Sequence, residues 1–403
     1  MMAKPERSGR RKRRQPMAGT RLRTLATGAA AILMLAACTG GAASPSGSAG
    51  SSTGTAASPS GTPCATQPAE GLEPTLVVVA NGGTFQQGFI KDYFEPFTCA
   101  TGVKVESVAA SFDPEWAKIV ADDQSNNVQW DIVDTGPSVP PDKQPYLTDL
   151  GTDCASIPNV AKNGASGTCR RYGLVRGFGG LVLAYNILKY GDKPPTSWKD
   201  FWDVKDFPGP RSISGSEKIY MLQTALWADG VPPDQIYPMD LDRAFAKLDE
   251  IKSSIDYAWT SGDQAQTLWR NEEVTIGASY SGRAVVLQGE GLPVGFAWPG
   301  ASQDIGGWGI LKKAPHPKAA KAFLDFFFRA DQDAISRALD FQKITGYDMP
   351  LPAVTQAIPA SEQKYHAGAP GNWENTVPQD VDWVQKNQQT VTDRWNAWLQ
   401  TLP

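Results

Sequence analysis

The sequence has 403 residues, a formal net charge of −4 and two histidines, and this length predicts two domains. Residues 1–37 contain nine lysines or arginines and one acid, a net of +8, so the remaining chain carries −4 − 8 = −12. This acidic balance argues against nucleic acid as a partner, because phosphate binding needs a basic face.

The N-terminus has the pattern of an export signal. A cationic segment precedes an apolar run that ends at Ala37 and is too short to span a bilayer as a helix. Leu35-Ala36-Ala37-Cys38 resembles a bacterial lipoprotein cleavage site, so we expect residues 1–37 to be removed and Cys38 to carry lipid. A plain secretory signal is the alternative. Residues 38–71 are predicted to form a flexible linker, because their many small and polar residues bury little apolar surface.

Four further cysteines lie in the exported part, where oxidising conditions favour disulfides. They allow three pairings, of which we favour Cys64 with Cys99 and Cys154 with Cys169. The second pair would close a short loop and stabilise the fold by roughly 3 kcal/mol. A metal site is not predicted, because there is no Cys-x-x-Cys pair and both histidines are distant in sequence.

Strand and helix signals alternate at the start of the folded part. Residues 76–80 are apolar throughout, which indicates a strand covered on both faces. Further strands are predicted at 103–108 and 130–134, with helices at 89–98 and 114–123. This order predicts an open α/β sheet that is mostly parallel, with ligands at the carboxyl ends of its strands. The loops 82–86, 109–112 and 134–138 are therefore candidate ligand loops.

The middle of the chain continues the α/β pattern. Residues 181–185 read as a strand, and Ser197 with Asp200 forms a capping box for a helix that begins at Trp198. Asp240 is predicted to cap an amphipathic helix whose apolar stripe recurs at helical spacing over 241–251.

Several motifs, in the same order along the chain, resemble extracellular solute-binding proteins of the spermidine/putrescine-binding type, the receptors of ABC importers. The resemblance covers nearly the whole folded part. It rests on FEPFTCATGVKV (94–105), SWKDFWDVKDFPGPRSI (197–213), ALWADGVPPDQIYPMDLDRAFAKLDEIK (225–252), WTSGDQAQTLW (259–269), ASYSGRA (278–284) and GGWGILKKAPHPKAAKAFLDFFF (306–328).

The resemblance implies a two-lobed periplasmic-binding-protein fold of type II, each lobe a mostly parallel sheet flanked by helices, with a hinge between them. We expect lobe 1 to comprise 72–178 and about 282–316, and lobe 2 to comprise 179–281 and about 317–403. It further implies a monomeric receptor without a cofactor, lipid-anchored on the extracytoplasmic face of the membrane. Its partners would be a polyamine or related cation and ABC permease subunits.

A polyamine site needs carboxylates for the ammonium groups and aromatic faces along the methylenes. Each candidate also has an ordinary structural explanation: Asp134 as a loop cap, for example, or Trp259 as a half-buried ring. Glu290 and Trp298 are weaker candidates. The six candidate ligand contacts are Phe85, Asp134, Trp259, Tyr280, Asp304 and Trp308.

Some features fit a simple diamine less well. The loop after the first strand retains one aromatic ring, Phe85, where better-known polyamine binders have a Trp and a Tyr. Gly82 and Gly83 would present backbone N–H groups to a polar or anionic solute, although a tight strand-to-helix turn is the more ordinary explanation. Arg176 and Arg283 lie near the predicted crossings between lobes. If both face the cleft, an anion or a carboxylate-bearing solute becomes favoured over a simple diamine. Structural ion pairs are the alternative for these arginines, so the cation remains the expected ligand.

Enzymatic motifs are absent from the sequence. The nearest approach to Gly-x-Ser-x-Gly, at 277–281, has Ser in the last position. There is no Walker loop and no HExxH, and two histidines make a His-based triad hard to assemble. We predict that the protein is not an enzyme, with a carboxylate-pair secreted hydrolase as the alternative. A ferric-ion receptor is disfavoured, because only Tyr280 lies near the matching motif.

Overall fold

In a computed structural model, the chain forms one nine-stranded mixed sheet flanked by helices, as the alternation of strand and helix signals predicts. The structure describes residues 63–80, 82–110, 112–136 and 138–403, and of residues 112 and 113 it describes the backbone only. The predicted signal peptide, Cys38 and residues 39–62 of the predicted linker lie outside this range. No helix in the described part is long and apolar enough to cross a bilayer.

The strands are β1 Thr75–Ala80, β2 Lys104–Ala109, β3 Ile132–Asp134, β4 Cys169–Arg170, β5 Gly173–Asn186, β6 Arg211–Ser214, β7 Ile255–Trp259, β8 Ile276–Tyr280 and β9 Val294–Ile310. The helices are α1 Thr84–Phe89, α2 Glu95–Thr101, α3 Phe112–Gln124, α4 Pro158–Asn163, α5 Ile187–Tyr190, α6 Lys218–Ala228, α7 Leu241–Ile251, α8 Gly262–Arg270, α9 Ser281–Gly289, α10 Pro317–Phe327, α11 Gln332–Thr345, α12 Pro352–Ala357 and α13 Val381–Leu399. A π-helical segment, Ile90–Phe94, joins α1 to α2.

Several local predictions agree with these bounds and two are revised. The amphipathic helix is α7, and the Asp240 carboxylate accepts the Arg243 backbone N–H at 3.0 Å. The helix predicted at Trp198 is a single 3-10 turn, Trp198–Phe201. The first predicted helix begins earlier, at Thr84, and passes through the π-helical segment. Its last part, α2, ends at Gly102 in the left-handed conformation, as expected of a terminal glycine.

The sheet order is β2-β1-β3-β9-β5-β8-β6-β7, and β4 pairs with β5. β1 pairs in parallel with β2 and β3 at one end, and β6 pairs in parallel with β7 and β8 at the other. The long strands β5 and β9 are antiparallel in the middle. Parallel strands need helical crossovers, so each end of the sheet acquires its own layer of helices.

The two largest of three hydrophobic cores in the described residues lie at opposite ends of the sheet and divide it into two lobes, and the small third core, with Val79 and Val133, packs against β1 and β3. Leu174 of β5 and Trp308 of β9 pack in the first core, which also contains β1 and α2. Leu183 of β5 and Val294 of β9 pack in the second, which also contains α6 and α7. β5 and β9 therefore run from one lobe into the other. The predicted two-lobed α/β fold is confirmed.

Core packing differs from the expected lobe boundaries in two segments. The apolar faces of α10 and α11, through Phe323 and Phe341, pack in the first core, although residues after 317 were expected in lobe 2. Ala284 of α9 and the beginning of β9 pack in the second core, although residues from 282 were expected in lobe 1. The apolar stripe of a helix can be seen in its own sequence. The lobe against which the helix packs depends on contacts with distant parts of the chain, which the sequence pattern does not show.

The two disulfides join the favoured pairs, Cys64 with Cys99 and Cys154 with Cys169. The first fixes the chain to the end of α2. The Ala65 and Ala69 backbone N–H groups also donate to the carbonyls of Cys99 and Thr101, at 2.8 and 2.7 Å. Residues 63–71 are thus attached to the folded body, so the predicted flexible linker to residue 71 is too long at its C-terminal end.

Candidate ligand-binding site

A cavity of about 550 Å³ lies between the two lobes, against the middle of β5 and β9. Residues from both lobes line it, together with residues of the strands that join them. The lining includes Gly82, Thr84, Phe85, Asp134, Gly136, Arg176, Glu217, Tyr220, Gly262, Tyr280, Gly282, Arg283, Val286, Asp304, Ile305, Gly306, Ile344, Thr345 and Tyr347.

A buried ion pair forms one side of the cavity. Arg176, on β5, donates through Nη2 to Oδ2 of Asp134, at the end of β3, at 2.6 Å. The Gly136 backbone N–H donates to the other Asp134 oxygen at 2.8 Å. Arg176 is 4 % exposed and Asp134 is 7 % exposed. The Asp134 carboxylate is therefore already paired and serves to hold the guanidinium in place.

The Arg176 guanidinium retains unused donors. Its Nε and Nη1 atoms are buried and have no hydrogen-bond partner among the described residues. The group lies over the Phe85 ring, 4.8 Å from the centroid, and a Cβ at Gly306 would meet its central carbon at 2.8 Å. Because unpaired buried N–H groups are costly, these donors indicate a site for a ligand oxygen acceptor. A carboxylate oxygen would gain a charge-assisted hydrogen bond from either of them.

A second group of side chains forms an acidic side. Asp304, on β9, accepts hydrogen bonds from the hydroxyls of Tyr347 and of Tyr220, the latter at 3.4 Å. Glu217 accepts from the Tyr280 hydroxyl at 2.7 Å. Burial and the negative charge of Glu217 raise the pKa of Asp304 to about 7. Burial raises the pKa of Tyr280 and Tyr220 as well, so both hydroxyls remain protonated donors.

The rim of the cavity is bridged by Arg283 of α9. Its Nη1 atom lies 3.1 Å from the Asp263 carboxylate and 3.2 Å from Oε1 of Gln266, both on α8. The same atom lies 3.4 Å from Oγ1 of Thr84, at the start of α1 in the other lobe. Arg283 therefore connects the two lobes at the entrance.

Four of the six residues predicted as ligand contacts line this cavity: Phe85, Asp134, Tyr280 and Asp304. The other two predictions are corrected, because the Trp259 and Trp308 side chains are fully buried. Trp259 donates its indole N–H to the Ala278 carbonyl at 3.2 Å. Trp308 packs among core rings, 4.8 Å from Phe89.

The weaker candidates also lie elsewhere. Trp298 is buried and donates to the Lys364 carbonyl at 3.2 Å, and Glu290 pairs with Arg270 at 2.8 Å. Gly82 does line the cavity. Arg176 and Arg283 both line the cavity, and each also makes an ion pair, with Asp134 and Asp263 respectively.

Sequence reasoning missed three polar contacts of the cavity. Glu217 and Tyr220 follow the carboxyl end of β6. Asp134 was selected because ligands bind at the carboxyl ends of such strands, and the same reasoning would have selected these two residues if β6 had been predicted. Tyr347 follows the end of α11 and carries no comparable signal. Within the described chain, no group of three or more His, Cys, Asp or Glu side chains is arranged to hold a metal ion.

Comparison with known proteins agrees with this architecture. The chain is 31 % identical over 343 residues to a γ-aminobutyric acid-binding protein of Pseudomonas aeruginosa, covering 82 % of this chain and 92 % of that protein. A crystal structure of an ABC transporter substrate-binding protein from Bradyrhizobium japonicum USDA 110 matches with TM-score 0.70 and 28 % identity, covering 81 % of this chain and 99 % of that one. The structure described as the Atu4243-GABA receptor matches with TM-score 0.68 and 26 % identity, covering 80 % and 97 %.

The fold and its interlobe cavity define a two-lobed binding protein for small solutes. The model of the bacterial extracellular solute-binding protein family matches residues 92–368, and the chain belongs to this family. It is thus a substrate-binding protein of an ABC transporter, acting outside the cytoplasm with permease subunits as partners.

Proposed function

We propose that the solute is a small zwitterion, an amino acid of the γ-aminobutyrate type whose carboxylate and ammonium groups are separated by methylenes. The observation that carries this proposal is the pair of buried, unpartnered donors of Arg176, a residue that lines the same cavity as Asp304 and Glu217. The ligand carboxylate binds Arg176, and the ammonium binds the acidic side with its tyrosine hydroxyls. Two similar proteins described as GABA-binding support the assignment.

A polyamine is the second candidate, because three carboxylates line the cavity. Two observations disfavour it. Asp134 is already paired with Arg176, and a diamine offers no acceptor to the free Arg176 donors. Leaving a buried donor unpaired costs about 1–3 kcal/mol.

Calorimetric titration with γ-aminobutyrate and with putrescine distinguishes the two proposals, because γ-aminobutyrate has a carboxylate at the end where putrescine has a second ammonium group. We expect γ-aminobutyrate to bind at least about tenfold more tightly, equivalent to about 1.4 kcal/mol. β-Alanine and 5-aminopentanoate, one methylene shorter and longer, then measure the length that the cavity accepts. Tight putrescine binding without γ-aminobutyrate binding would restore the polyamine assignment.

An arginine substitution tests the contact that carries the proposal. Arg176→Lys retains a positive charge but loses the planar arrangement of donors, so we expect γ-aminobutyrate affinity to fall about 10- to 100-fold. Arg270→Lys is the matched control, since Arg270 pairs with Glu290 on the surface. Equal affinity in the two variants would mean that Arg176 does not bind the solute.

The lipid anchor also belongs to the proposal. Cys38 lies outside the described residues, but its position behind the apolar run and before a stretch of small residues suits a receptor tethered beside its permease. Cys38→Ala is expected to release the protein from the membrane fraction without changing solute affinity in calorimetry. Retention in membranes would contradict lipidation at this residue.

Binding without turnover is the expected activity. The carboxylates of the cavity are occupied by tyrosine hydroxyls or by Arg176, an arrangement that holds charge in place. Incubation of γ-aminobutyrate with the protein, followed by chromatography, should recover the solute unchanged. Accumulation of a product that Glu217→Gln abolishes would instead support the hydrolase alternative.

A further inference from the structure

Behind the ligand-facing ion pair lies another carboxylate, Glu115 of α3, which does not line the cavity. Its Oε1 atom accepts the Asp134 backbone N–H at 2.7 Å. The neighbouring Trp116 donates its indole N–H to the Asp134 carbonyl at 3.1 Å. Helix α3 thus anchors the backbone of Asp134, and the Asp134 carboxylate in turn holds the Arg176 guanidinium.

The surroundings of Glu115 disfavour its charged form. The side chain is 1 % exposed, and its second oxygen, Oε2, has no hydrogen-bond partner among the residues that the structure describes. An ionised oxygen buried without a donor costs far more than a neutral one. The groups that face it are Asp134 on β3, Arg176 on β5 and Lys143, whose ammonium lies over the Trp116 ring.

We propose that Glu115 is a positioning residue for the ligand-binding arginine: in its uncharged form it anchors Asp134 and leaves Arg176 with one carboxylate partner. The guanidinium then keeps its attraction for the carboxylate of a solute. This inference rests on the proposed function in taking that carboxylate as the ligand group. Ionised Glu115 would give two carboxylates to one arginine and would weaken solute binding.

A pH dependence follows from this arrangement. Burial and the neighbouring Asp134 charge raise the pKa of Glu115 to about 8. We expect γ-aminobutyrate affinity to decrease about tenfold between pH 7.5 and 9 in the wild type. Glu115→Gln keeps an oxygen acceptor for the Asp134 N–H and cannot ionise, so its affinity should match the wild type at pH 7 and show no decrease above it.

Two variants separate positioning from structural support. Glu115→Ala removes the acceptor and should weaken binding at every pH, which Glu115→Gln should not do. Asp92→Asn is the matched control, because Asp92 is another buried lobe 1 carboxylate whose pKa is raised to about 6 by burial. Asp92→Asn should retain the loss of affinity above pH 8.

A measurement without solute tests the inference independently of the proposed function. The ¹⁵Nε resonance of Arg176, followed by NMR in the intact protein, should shift with a midpoint near the pKa of Glu115, about 8. The shift should be absent in Glu115→Gln. An Arg176 signal that does not titrate, or that titrates equally in both proteins, would overturn the inference. A titrating Arg176 signal in a protein that binds no γ-aminobutyrate would uphold it and refute the proposed solute.

Discussion

Gly282, in the first turn of α9, packs backbone against backbone on Gly346, the left-handed residue that ends α11. A Cβ at Gly282 would meet the Thr345 carbonyl oxygen at 2.5 Å. α9 belongs to the second lobe and α11 to the first, so this contact sets how closely the lobes approach beside the cavity.

Replacing Gly282 by Ala should therefore hold the lobes apart and weaken solute binding. The added methyl meets backbone atoms, which cannot move aside as a flexible side chain would. Small-angle scattering should report a larger radius of gyration with solute, and calorimetry a higher Kd. Gly289→Ala, at the other end of α9, is the control, since a Cβ there meets nothing within 4 Å. Equal compaction of both variants by solute would contradict this role.

Asp304 should make solute binding depend on pH near neutrality. Its pKa of about 7 means that part of the population is protonated at pH 7, whereas an ammonium group binds the ionised form. Affinity should rise from pH 6 to about pH 7.5, with proton release on binding. Calorimetry in two buffers of different ionisation enthalpy measures that release. Asp304→Asn should abolish it, and unchanged release in this variant would place the proton elsewhere.

The raised pKa of Asp304 should make the folded protein less stable as pH rises, whereas the same rise in pH makes solute binding stronger. A carboxyl whose folded pKa lies above its unfolded value stabilises the fold below about pH 4, and this contribution is lost as pH rises to about 7. The free energy of unfolding should therefore fall between pH 4 and 7 more steeply in the wild type than in Asp304→Asn. Urea unfolding at several pH values makes the comparison. Parallel curves would show that burial does not perturb this carboxyl.

The bridge between Arg283 and Thr84 should govern how long solute stays bound. Thr84→Val removes the hydroxyl at 3.4 Å while keeping the side chain's shape. Loss of a hydrogen bond to a charged group should raise the dissociation rate about tenfold, given a cost of about 1.5–3 kcal/mol. Stopped-flow displacement measures the rate. Thr267→Val on α8 is the control, because Thr267 donates only to the Asp263 carbonyl within its own helix, and it should dissociate at the wild-type rate.

The disulfide between Cys154 and Cys169 should contribute stability without affecting binding. It closes a loop of 15 residues, for which the loop-entropy model gives about 3 kcal/mol. Neither cysteine lines the cavity. The double variant Cys154→Ser/Cys169→Ser should lose about that much free energy of unfolding in urea and keep its solute affinity. A change in solute affinity without a loss of stability would contradict the prediction that this disulfide supports the fold and not the binding site.

The sequence predicts those parts of the fold that local patterns encode. β1, β3 and α7 follow from apolar runs and from apolar residues at helical spacing, because burial acts on each element alone. The lobe to which α10 returns is not encoded in this way. Its Phe323 would make an equally apolar contact with either core, and only the tertiary arrangement places it in the first.

In the candidate site, too, the sequence pattern identifies a strand but not which of its residues reach the cavity. Asp304 and Trp308 are four residues apart on β9, and side chains at even spacing face the same side of a strand. That spacing is about 13 Å of strand, which separates the cavity from the first core. Predicting both as ligand contacts was therefore wrong for Trp308, because the position of the hinge within β9 depends on its pairing with β5.

Arg176 and Asp304 both belong to the strand pair that joins the lobes, where Gly177 is opposite Gly306 and Gly179 is opposite Asp304. The separation between the groups proposed to receive the two ends of the solute is thus determined by the register of two hydrogen-bonded strands. If the solute is the proposed one, an amino acid of the wrong length would not reach both groups at once.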